Sequence, residues 1–234
     1  MNNIFSISII LLLSLIISHT TQAQETSLNQ AQVTNPTGTL LYTTGKNTET
    51  IGTPFYNKEW QNGHVIFNNG KRSKIVPLMY NSNTQVLFFQ QGDIVNTLDA
   101  NKYSGFIFNE SEEEFRNGFT IDEFDVTKTD PVKIIYDGEV KLLAFYQTIK
   151  ARANSKDPLT GKMIDRFLTD EAMFYLFPDG TVKKTKIKKK NMINDLGSFK
   201  KELNDFTKKT NNKVKTESDA IELLKHYDSL VQKN

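Results

Sequence analysis

From Trp60 onward, turn-forming clusters cut the chain into short β-prone runs every 10–14 residues, and this rhythm constrains the fold more than any other feature. Connections that short leave no room for crossover helices, so neighbouring runs must pair antiparallel. Residues 63–67 end at Asn68-Asn69-Gly70, where Asn and Gly both tolerate the positive φ of a tight hairpin. Residues 74–80 end at Asn81-Ser82-Asn83 and residues 84–90 at Gln91-Gly92, followed by runs at 93–98 and 103–109. Pro77 has no N–H, which predicts an edge strand or a bulge there. Residues 132–136 turn at Asp137-Gly138 into 140–146, a nearly unbroken apolar run suited to a strand buried on both faces. Residues 151–166, with breakers Asp157-Pro158 and Thr160-Gly161, read as a long loop. A last hairpin is expected between 172–177 and 181–187 through Pro178-Asp179-Gly180.

The final 45 or so residues change period. Phe199, Leu203 and Phe206 are spaced four and three, and Ala220, Leu224, Tyr227 and Val231 four, three and four. Thr216 and Asp219 suit a capping box for the last helix. A shorter helix carries Met192, Ile193 and Leu196 and stops at Gly197. Its start is placed after the lysines at 188–190, which oppose a helix dipole at that end. One-sided stripes need a surface to cover, and the sheet supplies it. The expectation is an α+β, mainly β fold of one domain. A twisted meander, open barrel or sandwich of about 8–10 antiparallel strands spans residues 54–187, with two or three helices of residues 188–234 packed on it. Residues 24–53 form a flexible polar lead-in, with Leu40-Leu41-Tyr42 as a candidate edge strand.

All 29 basic and 27 acidic residues lie beyond residue 23. The apolar run from Ile4 to Ile17 is too short to span a bilayer as a helix and is followed by Thr21-Gln22-Ala23. That layout predicts a cleaved secretory signal over residues 1–23, although residues 1–3 hold no Lys or Arg. The processed chain is then periplasmic or extracellular, with no transmembrane span. The chain has no cysteine, which excludes disulfides, thiol nucleophiles, Cys-ligated metals and a lipid anchor on a cleavage-site Cys.

The chemistry the residues permit is narrow. Only His64 and His226 lie beyond the signal. His64 reads as a cross-strand packing residue and His226 as a cation near a helix C-terminus. No nucleophile elbow, dinucleotide-binding glycine motif or calcium loop is present. The 38–47 segment spaces its glycines wrongly for a phosphate loop. No catalytic residue, metal ligand or cofactor is therefore assigned. Glu110, Glu112, Glu113, Glu114, Asp122, Glu123 and Asp125 surround only Arg116. They read as a solvated acidic face, with calcium binding and paired-carboxylate catalysis as the open alternatives. Most of the 16 Phe and 8 Tyr belong to the core, but Phe55, Tyr56, Trp60 and Tyr80 are candidates for an aromatic ligand surface. Residues 183–234 carry 14 Lys against 7 acids, concentrated at 183–190. If that run is a strand, Lys184, Lys186, Lys188 and Lys190 share one face. They then form either a solvated edge that resists aggregation or an anion-binding edge for lipid phosphates or acidic polysaccharide.

The stretch from Thr53 to Gly63, Asn69-Gly70-Lys71, Leu78-Met79-Tyr80-Asn81, Leu142-Leu143 after Asp137-Gly138-Glu139-Val140, and the lysine-rich passage into a helical tail resemble a group of uncharacterised exported proteins of Bacteroidota. The resemblance spans residues 50–230 and implies export and a single domain, with no activity attached. The function expected is that of an exported, non-enzymatic envelope or secreted protein binding a protein, glycan or envelope surface, and not nucleic acid. The alternatives are a carrier with an apolar β-cavity or, third, a carboxylate hydrolase. A filled core favours the first, an enclosed cavity the second, and two carboxylates converging in a cleft the third.

Overall fold

The computed structural model describes residues 48–233. Residues 1–23, expected to be a cleaved signal, and Leu40-Leu41-Tyr42 lie outside the described residues. Eleven strands form one open, mostly antiparallel sheet, and three helices follow. The strands are β1 (Thr48–Ile51), β2 (Gln61–Phe67), β3 (Val76–Asn81), β4 (Val86–Gln91), β5 (Ile94–Leu98), β6 (Tyr103–Phe108), β7 (Glu113–Arg116), β8 (Val132–Asp137), β9 (Lys141–Ala151), β10 (Met163–Leu176) and β11 (Val182–Lys184). The helices are α1 (Lys189–Leu196), α2 (Lys200–Lys209) and α3 (Glu217–Val231). The order across the sheet is β1-β10-β9-β8-β7-β6-β2-β3-β4-β5, with β11 also on β10. β1 is the one parallel addition among these pairs, and it falls inside the segment read as a flexible lead-in.

The sheet curls so far that the β3–β4 turn reaches β9, although four strands lie between β9 and β3 in the order. Thr148 N donates to Ser82 O at 2.9 Å, the buried Ser82 and Thr148 hydroxyls lie 2.7 Å apart, and Asn83 Nδ2 donates to Thr148 O. The concave side is filled by rings. Tyr80, Phe106, Phe108 and Phe115 are fully buried, and Phe106 stacks on Phe115 with centroids 4.9 Å apart. Each such ring contributes on the order of 1.5–3 kcal/mol by burial. Close strand approach is possible because β6 carries Gly105, where a Cβ would collide with the Phe115 carbonyl oxygen. On the same face, further along, Ile135, Leu142, Ala144 and Tyr175 meet Met192, Leu196, Leu203, Leu223 and Leu224 of the helices. The opposite face of β9 and β10 buries Leu143, Phe145 and Phe174 under the segment holding Ile121 and Val126. β9 is thus buried on both faces over 142–145, as its apolar run predicts.

Three local expectations are corrected. Pro77 lies in an interior strand, but only β2 pairs with it, because the β4 ladder begins at Leu78. The long loop narrows to residues 152–162, since β9 and β10 pair continuously from Lys141↔Leu176 to Ala151↔Arg166. The lysine run is not one strand. β11 stops at Lys184, and Thr185 turns inward, donating N–H to Met173 O and its hydroxyl to Asp195 Oδ2. The chain then caps α1 at Lys188, and Lys189 and Lys190 occupy the first helical turn. Lysines there cost about 0.3–1 kcal/mol each against the helix dipole. Burying Met192, Ile193 and Leu196 contributes about 1.5–3 kcal/mol each and outweighs them. The α3 capping box forms as expected, with Thr216 Oγ1 accepting from Asp219 N at 3.1 Å.

Candidate functional site

Between the ring-filled curl and the helical layer the sheet carries a polar junction. Lys133 on β8 stands in an apolar run and is 5% exposed. Its Nζ donates to Glu113 Oε1 on β7 at 2.7 Å and to Glu217 Oε1 at the start of α3 at 2.9 Å. Tyr56 OH donates to the same Glu113 oxygen at 2.8 Å. Burial is the largest influence on Lys133 and favours losing the proton. The bonds to Glu113 and Glu217 together outweigh it and hold the ammonium well above the usual lysine value. For Glu113 burial again acts first and upward, and Lys133, Tyr56 and Ser111 together bring the carboxyl below its ordinary value. Tyr146 on β9 meets Tyr56 edge to face at 4.7 Å and donates to Glu171 Oε1 on β10 at 2.6 Å.

This junction opens into a cleft of about 410 Å³ lined by Glu171 and Met173 of β10, residues 184–187, Lys215 and Glu217. Both of its carboxylates are already bonded, Glu171 by Tyr146 and Glu217 by Lys133. Lys186 and Lys215 are exposed, and neither makes an ion pair among the described residues. The cleft therefore presents two unpaired cations beside acids that are turned to internal partners.

The expected site residues divide. Lys184 and Lys186 line the cleft, but the Lys184 ammonium lies over the Phe124 ring, 5.3 Å from its centroid. Lys188 and Lys190 belong to the cap and first turn of α1, so no four-lysine stripe exists. Of the aromatic candidates, Phe55 and Tyr80 are core, and Tyr56 and Trp60 are partly buried. Tyr80 is fully buried, Phe55 packs edge-on against Phe88, and Tyr56 touches four rings of the filled curl and its rim. Trp60 is half-buried just before β2. The acidic stretch is spread over β7 and a short 3-10 turn, with Glu114 and Asp137 both on Arg116. Among the described residues no three His, Asp or Glu side chains gather as a metal would require. His64 lies across from Ile107, as a cross-strand residue should. His226 is not a helix-end cation. It stacks flat on Phe206 at 4.3 Å, and burial, then Lys233, lowers its pKa.

Lys133, Tyr146, Glu171, Lys215 and Glu217 were not among the sequence candidates. One signal pointed to Lys133, a single charge inside Val132-Lys133-Ile134-Ile135, which a buried strand tolerates only with a paired acid. No protein-family model matches the chain, and searches of curated proteins and of solved structures likewise return no match.

Proposed function

We propose that this is an exported, non-enzymatic binding protein whose cleft takes an anionic group of an envelope polymer or surface. The observation that carries this is the pair Lys186 and Lys215. They come from two separate connections, β11–α1 and α2–α3, and flank one cleft, unpaired among the described residues, while its carboxylates are engaged elsewhere. The helical layer adds to the attraction, because residues 183–234 hold 14 Lys against 7 acids. Rings fill the interior of the curl, which argues for binding at the surface over carriage of an apolar molecule inside. Glu171 and Glu217 share the cleft, as a hydrolase would need. The carboxyls that depart from their ordinary values, Glu113 and Asp137 among them, depart downward and favour the ionised form over a proton donor.

Titration calorimetry with polygalacturonate and with inorganic phosphate tests the site. Binding should weaken with salt and be lost in the Lys186→Gln/Lys215→Gln variant. Affinity that survives both changes defeats the proposal. Export is tested separately by intact mass, which should show protein from the envelope or medium beginning at Gln24.

A further inference from the structure

Seven large apolar side chains are exposed among the described residues, and four of them gather at one end of the sheet: Ile51 at 43%, Ile149 at 53%, Leu168 at 50% and Leu159 at 95%. Register explains the first three. Leu168 faces Ile149 across the β10–β9 ladder, and Ile51 lies beside Arg166 on the β1–β10 ladder, so their side chains share one face. That face is the one covered further along by Ile121 and Val126, and here the cover has ended. Leu159 sits on a turn fixed by Asp157, whose Oδ1 accepts from Leu159 N, Thr160 N and the Thr160 hydroxyl. The turn thus holds an apolar side chain outward in water, at a cost that burial elsewhere would recover.

The charges around these side chains are mainly positive: Arg152, Lys156 and Arg166 stand against Asp157 and Asp170, each of which accepts from backbone N–H groups. Lys150 pairs with Asp165 at 3.3 Å and Lys162 with Glu49 at 3.4 Å, and Asp157 is turned to its own backbone. Arg152, Lys156 and Arg166 remain exposed, and none makes an ion pair among the described residues. All three line a cleft of about 330 Å³ that also includes Ile164 and Leu168. Apolar groups beside an excess of exposed cations are complementary to a surface with acyl chains beneath phosphates. A second copy of the chain fits less well, since a two-fold contact would set one net positive patch against another.

We infer that the open end of the β9–β10 face, with Leu159 at its tip, docks on an anionic phospholipid surface. Docking is peripheral, with Leu159, Leu168, Ile149 and Ile51 against the acyl boundary and Arg152, Lys156 and Arg166 on headgroup phosphates. This surface is separate from the lysine-rimmed cleft and stands or falls independently of it.

The chain has no cysteine, so Leu159→Cys gives a single site for an environment-sensitive fluorophore. In the full chain, the label should brighten and shift to the blue with phosphatidylcholine–phosphatidylglycerol vesicles and respond far less to phosphatidylcholine alone. Arg152→Gln/Lys156→Gln/Arg166→Gln on that background should weaken the response roughly a hundredfold, at about 1 kcal/mol per cation. Leu168→Ser should reduce it further, while Lys186→Gln/Lys215→Gln should leave it intact. A label that stays aqueous while the protein sediments with vesicles overturns the inference, because attachment then comes from elsewhere, the apolar run at 4–17 included. A blue shift that grows with protein concentration in the absence of lipid also overturns it and assigns the face to self-association.

Discussion

Replacing Lys133 with Met leaves the hydrocarbon volume of the side chain and removes only its charge. Glu113 and Glu217 then face each other across the junction with no cation between them, and Glu113 keeps only its Tyr56 and Ser111 bonds. Breaking a buried pair from one side costs about 3–5 kcal/mol, since the abandoned charge stays desolvated. For a chain of this size that corresponds to a fall in melting temperature of roughly 6–20 °C. Glu217 is partly exposed and regains some water, which places the cost toward the lower end of that range.

The pH dependence gives the sharper test. In the wild type the Glu113 carboxyl lies below its ordinary value, so its contribution is present above the unfolded value and lost as pH falls through the folded one. In Lys133→Met, burial acts on Glu113 without the opposing cation, and its folded pKa moves above the unfolded value. The variant's deficit is therefore greatest at neutral pH and narrows toward about pH 4, where the carboxyl takes up its proton. Urea unfolding at several pH values, followed by circular dichroism and by the single Trp60, measures both curves. Adding Glu113→Gln and Glu217→Gln to Lys133→Met should restore most of the loss, because no unpaired charge remains. A loss under about 1 kcal/mol at neutral pH would show that the junction is solvated in practice. A deficit that widens toward acid would refute the electrostatic account altogether.

Leu224→Ala removes a fully buried side chain from the helix–sheet interface and should cost about 2–5 kcal/mol by urea unfolding. An unchanged midpoint would mean that α3 does not stabilise the sheet. Gly105→Ala places a methyl group against the Phe115 carbonyl oxygen and should destabilise by at least about 1–3 kcal/mol, because backbone must move to admit it. Thr216→Ala removes the α3 cap and should cost about 0.5–2 kcal/mol, with loss of amide-exchange protection at Asp219 as its local signature.

What could be read in the sequence was what is decided locally. The turns at Asp137-Gly138 and Pro178-Asp179-Gly180 and the stop at Gly197 depend on a few adjacent residues, and all three stand where their chemistry puts them. β10 was half hidden because only Asp165 is buried in its first half, so the alternation that marks a strand is faint there. Pairing with the whole length of β9 holds it extended. The lysine run misled for the opposite reason. Its composition fits a strand edge, but the inward turn of Thr185 and the burial of Met192 and Ile193 decide where the sheet ends. The junction was least legible. Lys133 is 20 residues from Glu113 and 84 from Glu217, and no short spacing encodes a contact that only sheet curvature and helix docking create.

The docking of the tail also changes what its charge means. Six of its seven acids are turned to partners within the fold, Asp205 only to the exposed Lys208 one turn along its own helix. Asp195 meets Thr185 and Lys183, Glu217 meets Lys133, Asp219 caps α3, Glu222 meets Asn212, and Asp228 accepts from Tyr136 at 2.6 Å. Of its lysines, only Lys183 and Lys208 form ion pairs among the described residues. Asp195, Glu217 and Asp228 thus latch the helices to the sheet, and these bonds leave the lysines as the charge that solvent meets. A helical layer built this way is more basic toward a partner than its composition states. Cutting a latch should therefore weaken folding and anion binding by different routes. Glu217→Gln should lower stability while leaving the Lys186 and Lys215 cations in place, so polygalacturonate binding at a temperature where the variant is folded should hold or tighten. Loss of that binding in a folded Glu217→Gln protein would mean that Glu217 positions the cleft, and that the lysines alone do not make the site.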